Sequence, residues 1–407
     1  MNQKDQIRIG FIGLGGRGQG ELSILLDMPD IAISAVCDLY EDRALEGVRL
    51  VEASGRPSPY WTQDYRQVIS REDVDCIITP SSWTSHSQIM LAAMKAGKPV
   101  GTEVGGATSI QDCWDLVRAW ETTGVPCMML ENCCYGREEL TLLNMVRQNL
   151  FGELIHCQGG YEHDLRSEVA QGIENRHYRF QNYAHRNGDI YPTHALGPIA
   201  KILDINRGNR FVSLVSFASK TRGIKEWAIA NLGADHPAAN TTFTQGDVVT
   251  TIIKCSRGET VVLTHDTSLP RPYSRGGRIQ GTRGIWMEDN GSLYLEGRSP
   301  LDQWESFKDY MEEYDHPLWK KSDIANFQAG HGGMDYLILR AFLEPLQNGL
   351  TELPIDVYDT ATWMAVTALS EESIALGGQT VAFPDFTNGQ WINRKPGPAH
   401  RYTLDRI

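Results

Sequence analysis

Tyr191 and His194 lie three residues apart in the stretch NGDIYPTH, Asn187 to His194, with Pro192 between them. Proline suits the first position of a helix, where its missing N–H leaves nothing unsatisfied. The Pro192-Thr193 pair therefore predicts a helix start, and the phenol and imidazole straddling it can face one point. Such a pair either moves protons or hydrogen-bonds a helix end, and the stretch alone leaves both readings open. An imidazole with an ordinary pKa of ~6.5 accepts and returns protons near neutrality. A phenol at ~10 does so only beside a cation or a hydrogen bond that favours its anion.

A second group of residues belongs to a binding loop. GLGGRG places Gly13, Gly15 and Gly18 in G-x-G-x-x-G spacing, directly after an apolar run and before a helical one. The first glycine permits a tight turn, the second lets backbone approach a pyrophosphate, and the third lets helix and strand pack closely. The helix N-terminus behind them offers unpaired N–H groups to phosphate. Asp38 ends the next strand about twenty residues on, where a carboxylate binds a ribose diol and repels a 2′-phosphate, so the expected cofactor is NAD rather than NADP. Arg17, inside the loop, meets either phosphate or solvent. TPSSWTSH follows a later strand, so Trp83 and His86 either line the dinucleotide or pack and cap the next helix. Glu103 in GTEVGG and Asn132 in MLENCCY fall at the ends of the following two strands and point at the same crevice.

The elements that must hold these residues divide the chain. In the first third, short apolar strands (IRIGFIGLG, IAISAVCD, DCIITP, PVGTE, PCMMLEN) alternate with helical stretches. Non-alternating apolar strands between helices indicate a parallel sheet covered on both faces, a doubly wound Rossmann domain over residues 1–132. After Gly152 the strands follow one another as hairpins, with turns at CSRGET and at EDNGSL, whose Asn-Gly is the strongest short hairpin signal. Residues 133–407 are therefore expected to form an α+β domain, an open, mostly antiparallel sheet with helices on one face. That domain would bind substrate and, through the other sheet face, a second copy of the chain.

Composition narrows the class. The 407 residues carry a net charge of -13, which disfavours a nucleic-acid partner. No segment reaches the ~18 apolar residues of a membrane span, and no basic-then-apolar leader opens the chain, so a cytoplasmic protein is expected. The 8 cysteines never form CxxC and sit mostly in apolar runs, as reduced, buried thiols do. No His/Cys/Asp set has the local spacing of a zinc site, so no metal is expected.

With these residues in view, the chain resembles the Gfo/Idh/MocA oxidoreductases. Typical sugar dehydrogenases of that group carry Glu-Lys-Pro after the fifth strand, the lysine handling the substrate hydroxyl; here the tripeptide is Glu103-Val104-Gly105. Four longer stretches, MMLENCCYGREELTLLNMVRQNLFGELIHCQGGYEHDLR, NGDIYPTHALGPIAKILDINRGNR, LPRPYSR and GHGGMDYLIL, are similar to glycoside hydrolase family 109, whose known members are NAD-dependent α-N-acetylgalactosaminidases. The resemblance implies NAD contacts at Gly16, Arg17, Asp38, Trp83 to His86, Glu103, Val104, Asn132 and Tyr191. It implies sugar contacts at Tyr161, Arg179, Tyr191, His194 and Tyr273.

The chemistry this implies is redox-assisted cleavage of a small glycoside. The sugar is oxidised at C3, the acidified C2 proton leaves, the C1 substituent is expelled, water adds, and C3 is reduced again. Tyr161, Tyr191 and His194 would be the catalytic residues. His194 would handle the C3 hydroxyl proton, Tyr161 the C2 proton, and Tyr191 would hold the hydroxyl in register. Arg179 would bind sugar oxygens or steady an enolate. A glycosidase of the usual kind uses two carboxylates instead. Two rival readings remain, a sugar dehydrogenase that releases reduced cofactor and a non-catalytic NAD-binding regulator. The roles of His163 and His331 stay open at this point.

Overall fold

Six short strands, β1 (Ile7–Ile12), β2 (Ile31–Cys37), β3 (Tyr60–Thr62), β4 (Cys76–Thr79), β5 (Val100–Thr102) and β6 (Cys127–Met129), pair in the order β3-β2-β1-β4-β5-β6. All pairings are parallel. These are the apolar runs of the sequence, and β4, β5 and β6 are buried at every position, as strands covered on both faces must be. The strand order reverses between β1 and β4, the switch point where such sheets bind ligands. The computed structural model describes residues 6–320, 329–397 and 400–405.

Two compact units make up the chain. The first comprises Met1–Arg137, His316–Thr362 and Pro396–Ile407, the second Glu138–Asp315 and Trp363–Lys395. The first unit thus extends beyond the expected 1–132 segment by taking in two stretches from late in the chain. Polar bonds tie them in: Arg340 donates to Asp30 at 2.7 Å, Asp335 accepts from Arg17, and the Tyr402 carbonyl accepts from the Tyr135 hydroxyl at 2.7 Å. Partners some 300 residues apart leave no local pattern from which to read them.

The second unit is built on nine strands in the order β14-β13-β12-β11-β7-β10-β9-β8-β15. They are β7 (Leu154–Glu162), β8 (Phe211–Ala218), β9 (Val248–Cys255), β10 (Thr260–Asp266), β11 (Arg278–Gly281), β12 (Gly284–Met287), β13 (Ser292–Leu295), β14 (Glu305–Ser306) and β15 (Val381–Ala382). Only β7 and β10 pair in parallel; their neighbours are antiparallel. The β9–β10 and β12–β13 hairpins turn at the two places the sequence marks. One face is buried: Leu214, Ile253, Val261 and Cys157 lie in one register row across four strands. The helix Thr193–Ile202 packs on this face so closely that a Cβ at Gly159 would lie 2.6 Å from the Ala195 methyl. Pro192 is the residue flanking that helix rather than its first residue. The opposite face carries Val215, Ile252 and Val262 in the next register row, with Ile252 and Phe217 exposed at 44% and 60%.

Candidate functional site

In the first unit, Gly13 follows β1 in the left-handed region, φ +111°, where a Cβ would meet the Pro80 and Ser81 backbone at 2.7–2.8 Å. At Gly18 a Cβ would lie 2.0 Å from the Gly13 carbonyl oxygen, so strand and helix touch there. Gly15 and Gly16 differ. A Cβ at Gly16 meets nothing within 4 Å, and the helix Gly16–Leu26 has no side chain capping its first turn. That open, N–H-lined end fits a diphosphate. Asp38, buried at the end of β2, accepts the Leu14 N–H at 2.7 Å and the Tyr40 N–H at 2.9 Å through different oxygens. Both bonds fix the carboxylate and leave each oxygen one lone pair for a ribose diol.

Around this crevice the remaining candidates fall into two groups. Trp83 and His86 are buried at 3% and 1% exposure. Trp83 packs where a Gly105 Cβ would be, 2.5 Å away. His86 Nε2 lies 2.9 Å from the Ser81 carbonyl, and burial holds its imidazole below the ordinary pKa. Their side chains thus brace the loop after β4. Val104 is buried, and its N–H donates to Glu103 at 3.1 Å. The partly exposed guanidinium of Arg17, expected to face phosphate or solvent, engages carboxylates. It donates to Glu103 at 2.8 Å and to Asp335 at 2.6 and 3.0 Å, and lies 3.1 Å from Glu21. Asn132 donates to the same Asp335 at 2.7 Å. Burial and the neighbouring Glu103 push the Glu21 carboxyl well up, whereas at Glu103 burial is outweighed by Arg17 together with a hydrogen bond from Glu21, which keep it low.

The second unit gathers every sugar-side candidate. Tyr161, on β7, has its ring 4.4 Å from Tyr191 and 5.6 Å from His194, centroid to centroid. Tyr191 and His194 stand edge-to-face at 4.9 Å, with the Tyr191 hydroxyl 3.4 Å from His194 Nε2. Tyr273 lies 6.3 Å from the Tyr161 ring. The Arg179 guanidinium is buried, 5.8 Å from the Tyr161 ring and 5.4 Å from that of Tyr191, and pairs with Glu168 at 3.1 Å. His163, two residues along from Tyr161, brings Nδ1 to 3.3 Å from the Tyr161 hydroxyl. Burial, then Arg179, lowers the His163 pKa, so the neutral ring can accept or donate there. This arrangement can move protons at a bound polyol: three phenols, two imidazoles and one buried cation converge.

Residues 135–393 match the family model of the glycosyl hydrolase 109 C-terminal domain, and residues 7–131 that of the oxidoreductase family with an NAD-binding Rossmann fold. A glycosyl hydrolase family 109 protein of Stenotrophomonas maltophilia is 43% identical over 96% of this chain and 91% of its own. The chain belongs to glycoside hydrolase family 109. An α-N-acetylgalactosaminidase of Tannerella forsythia is 44% identical to this family 109 chain, over 96% of it and 88% of the relative. Levoglucosan dehydrogenase in complex with NADH shares the fold, with a TM-score of 0.69 and 17% identity over 93% of this chain and 99% of that one. An NAD-binding oxidoreductase from Klebsiella pneumoniae does so at a TM-score of 0.68 and 16% identity, over 94% and 100%.

Three residues in contact with or beside these candidates escaped the sequence reading. His265 is 1% exposed beside Tyr161 in the β7–β10 register, its ring 6.4 Å away, and burial with Arg179 lowers its pKa to about 3. Tyr183 backs it, bonded to Thr267 at 2.6 Å. The signal was present for His265: in TVVLTHD it falls in the inward phase with Val261 and Leu263, a polar residue among apolar ones. Asp335 left no comparable signal, because its partners Arg17 and Asn132 lie more than 200 residues away.

Proposed function

We propose that this family 109 chain is an NAD-dependent glycosidase of the α-N-acetylgalactosaminidase kind, acting through transient oxidation of the sugar. The observation that carries the reading is the convergence of Tyr161, Tyr191, His194 and Arg179 in one cluster of a chain that also has an open dinucleotide loop. Gly15, Gly16 and the helix start behind them would hold the diphosphate, and Asp38 the ribose diol. Bound there, NAD would supply a reversible hydride acceptor for sugar C3. His194 takes the C3 hydroxyl proton and later returns it, a task that suits an imidazole near neutrality. Tyr161 removes the C2 proton, and the buried Arg179 cation beside its ring steadies the developing enolate. Tyr191 holds the substrate hydroxyl against His194. Departure of the C1 substituent, addition of water at C1 and return of the proton to C2 complete hydrolysis, and the reduced cofactor would restore C3.

The test is incubation with nitrophenyl α-N-acetylgalactosaminide in deuterated water. Nitrophenol release that requires NAD, accumulates no NADH and leaves deuterium at C2 supports the reading. Cleavage by protein stripped of NAD would falsify it, and NADH accumulating in step with product would mark a dehydrogenase instead. We further propose a homo-oligomer joined through the open sheet face, since Ile252 and Phe217 leave apolar surface exposed there.

A further inference from the structure

The Arg17 cluster does more than neutralise charge. Arg17 sits within the dinucleotide loop, yet its guanidinium makes a two-pronged bond to Asp335, which is 1% exposed at the start of the helix Met334–Gln347. Fork-to-carboxylate bonds of this kind are strong and directional. Just before Asp335, four successive residues have left-handed backbone: Gly330, His331, Gly332 and Gly333, at φ 58°, 43°, 65° and 102°. His331 is the one residue of the four with a side chain to strain, and it spends that strain on a contact. Its Nδ1 lies 2.9 Å from Asp335 and 3.4 Å from Arg17. Although burial works against it, bonds from His331 and Arg17 hold the Asp335 carboxyl well below the usual range. Gly330 in turn fits against the dinucleotide helix: a Cβ there would lie 2.4 Å from Asp335 and 2.7 Å from Ile24.

We propose that Gly330–Asp335 is a strap that retains the dinucleotide, docked on the phosphate-binding helix by Arg17 and obliged to release it before NAD can exchange. The strap rests on the NAD-dependent reading given above and deepens it, because a cofactor restored at the end of each turnover gains nothing by leaving. Freeing Arg17 from Asp335 has two opposed consequences. It unlatches the strap, which speeds both entry and exit of the dinucleotide, and it leaves a cation nearer the diphosphate, which slows exit alone. The two-pronged geometry and the burial of Asp335 make the first effect the larger.

The experiment measures NAD association and dissociation by stopped-flow protein fluorescence, with excess unlabelled analogue as trap, in the wild type, Asp335→Asn and Gly330→Ala. The second variant pushes a methyl into the docked position and leaves every charge in place. Both variants should raise the association and dissociation rates by tenfold or more, and the dissociation constant should move less than either rate. If both rates stay at the wild-type values, or if dissociation slows in Asp335→Asn, the strap is wrong while NAD binding stands. A wild-type protein that binds no NAD would overturn the cofactor reading, and the strap with it.

Discussion

Asp189, two residues before Tyr191, is the group whose replacement has the most calculable effect. It is 1% exposed; its backbone N–H donates to Ser370 at 2.8 Å, and its carbonyl accepts from Thr367 at 2.8 Å. The carboxyl group accepts the Tyr191 backbone N–H, and its Oδ2 has no partner among the described residues. Burial raises its pKa from 3.8 to about 7, the Tyr191 N–H opposing that rise. The native state therefore holds this proton more tightly than the unfolded chain does. A raised carboxyl makes its stability contribution at low pH and loses it as pH climbs from 3.8 towards 7, after which the loss is constant. At ~1.36 kcal/mol per pH unit, the loss is roughly 1.6 kcal/mol at pH 5 and roughly 4.3 at pH 8. Asp189→Asn retains an acceptor for Tyr191 and cannot ionise. Wild-type stability should thus fall between pH 5 and pH 8 by about 2–3 kcal/mol more than that of the variant. Denaturant unfolding of both proteins at the two pH values measures it, and every other titrating group cancels in the comparison. Parallel pH dependences would show that Asp189 is ionised in the folded protein and that the burial argument fails.

The other predictions concern binding, catalysis and assembly. Asp38→Ala should weaken NAD binding and narrow the preference over NADP, since the carboxylate fixed by Leu14 and Tyr40 is lost; titration of both dinucleotides reads this. His194→Ala should lower kcat by about 10²–10⁴ with the circular dichroism spectrum retained, and a smaller loss would remove His194 from proton transfer. Phe217→Glu, on the open sheet face, should shift the protein to monomer in light scattering at micromolar concentration. An unchanged mass would place the oligomer contact elsewhere.

Much of this protein is legible in its sequence because local physics wrote it there. Apolar runs punctuated by helical stretches dictate a parallel sheet, and the spacing of Gly13, Gly15 and Gly18 answers to contacts made within a few residues of one turn. The Tyr191 and His194 pairing follows from helix geometry across three positions. No such rule reaches Asp335: its bonds to Arg17 and Asn132 depend on a helix folded back from late in the chain, so the sequence offered phosphate or solvent to Arg17 and not these carboxylates. For Trp83 and His86, only the tertiary packing reveals that their side chains brace the loop after β4. Tyr161 becomes a candidate base for the same kind of reason. Residue type supplies the phenol, but the buried Arg179 near its ring, and the His265 beside it on a neighbouring strand, are brought there by sheet register and tertiary packing, which short-range sequence patterns do not encode.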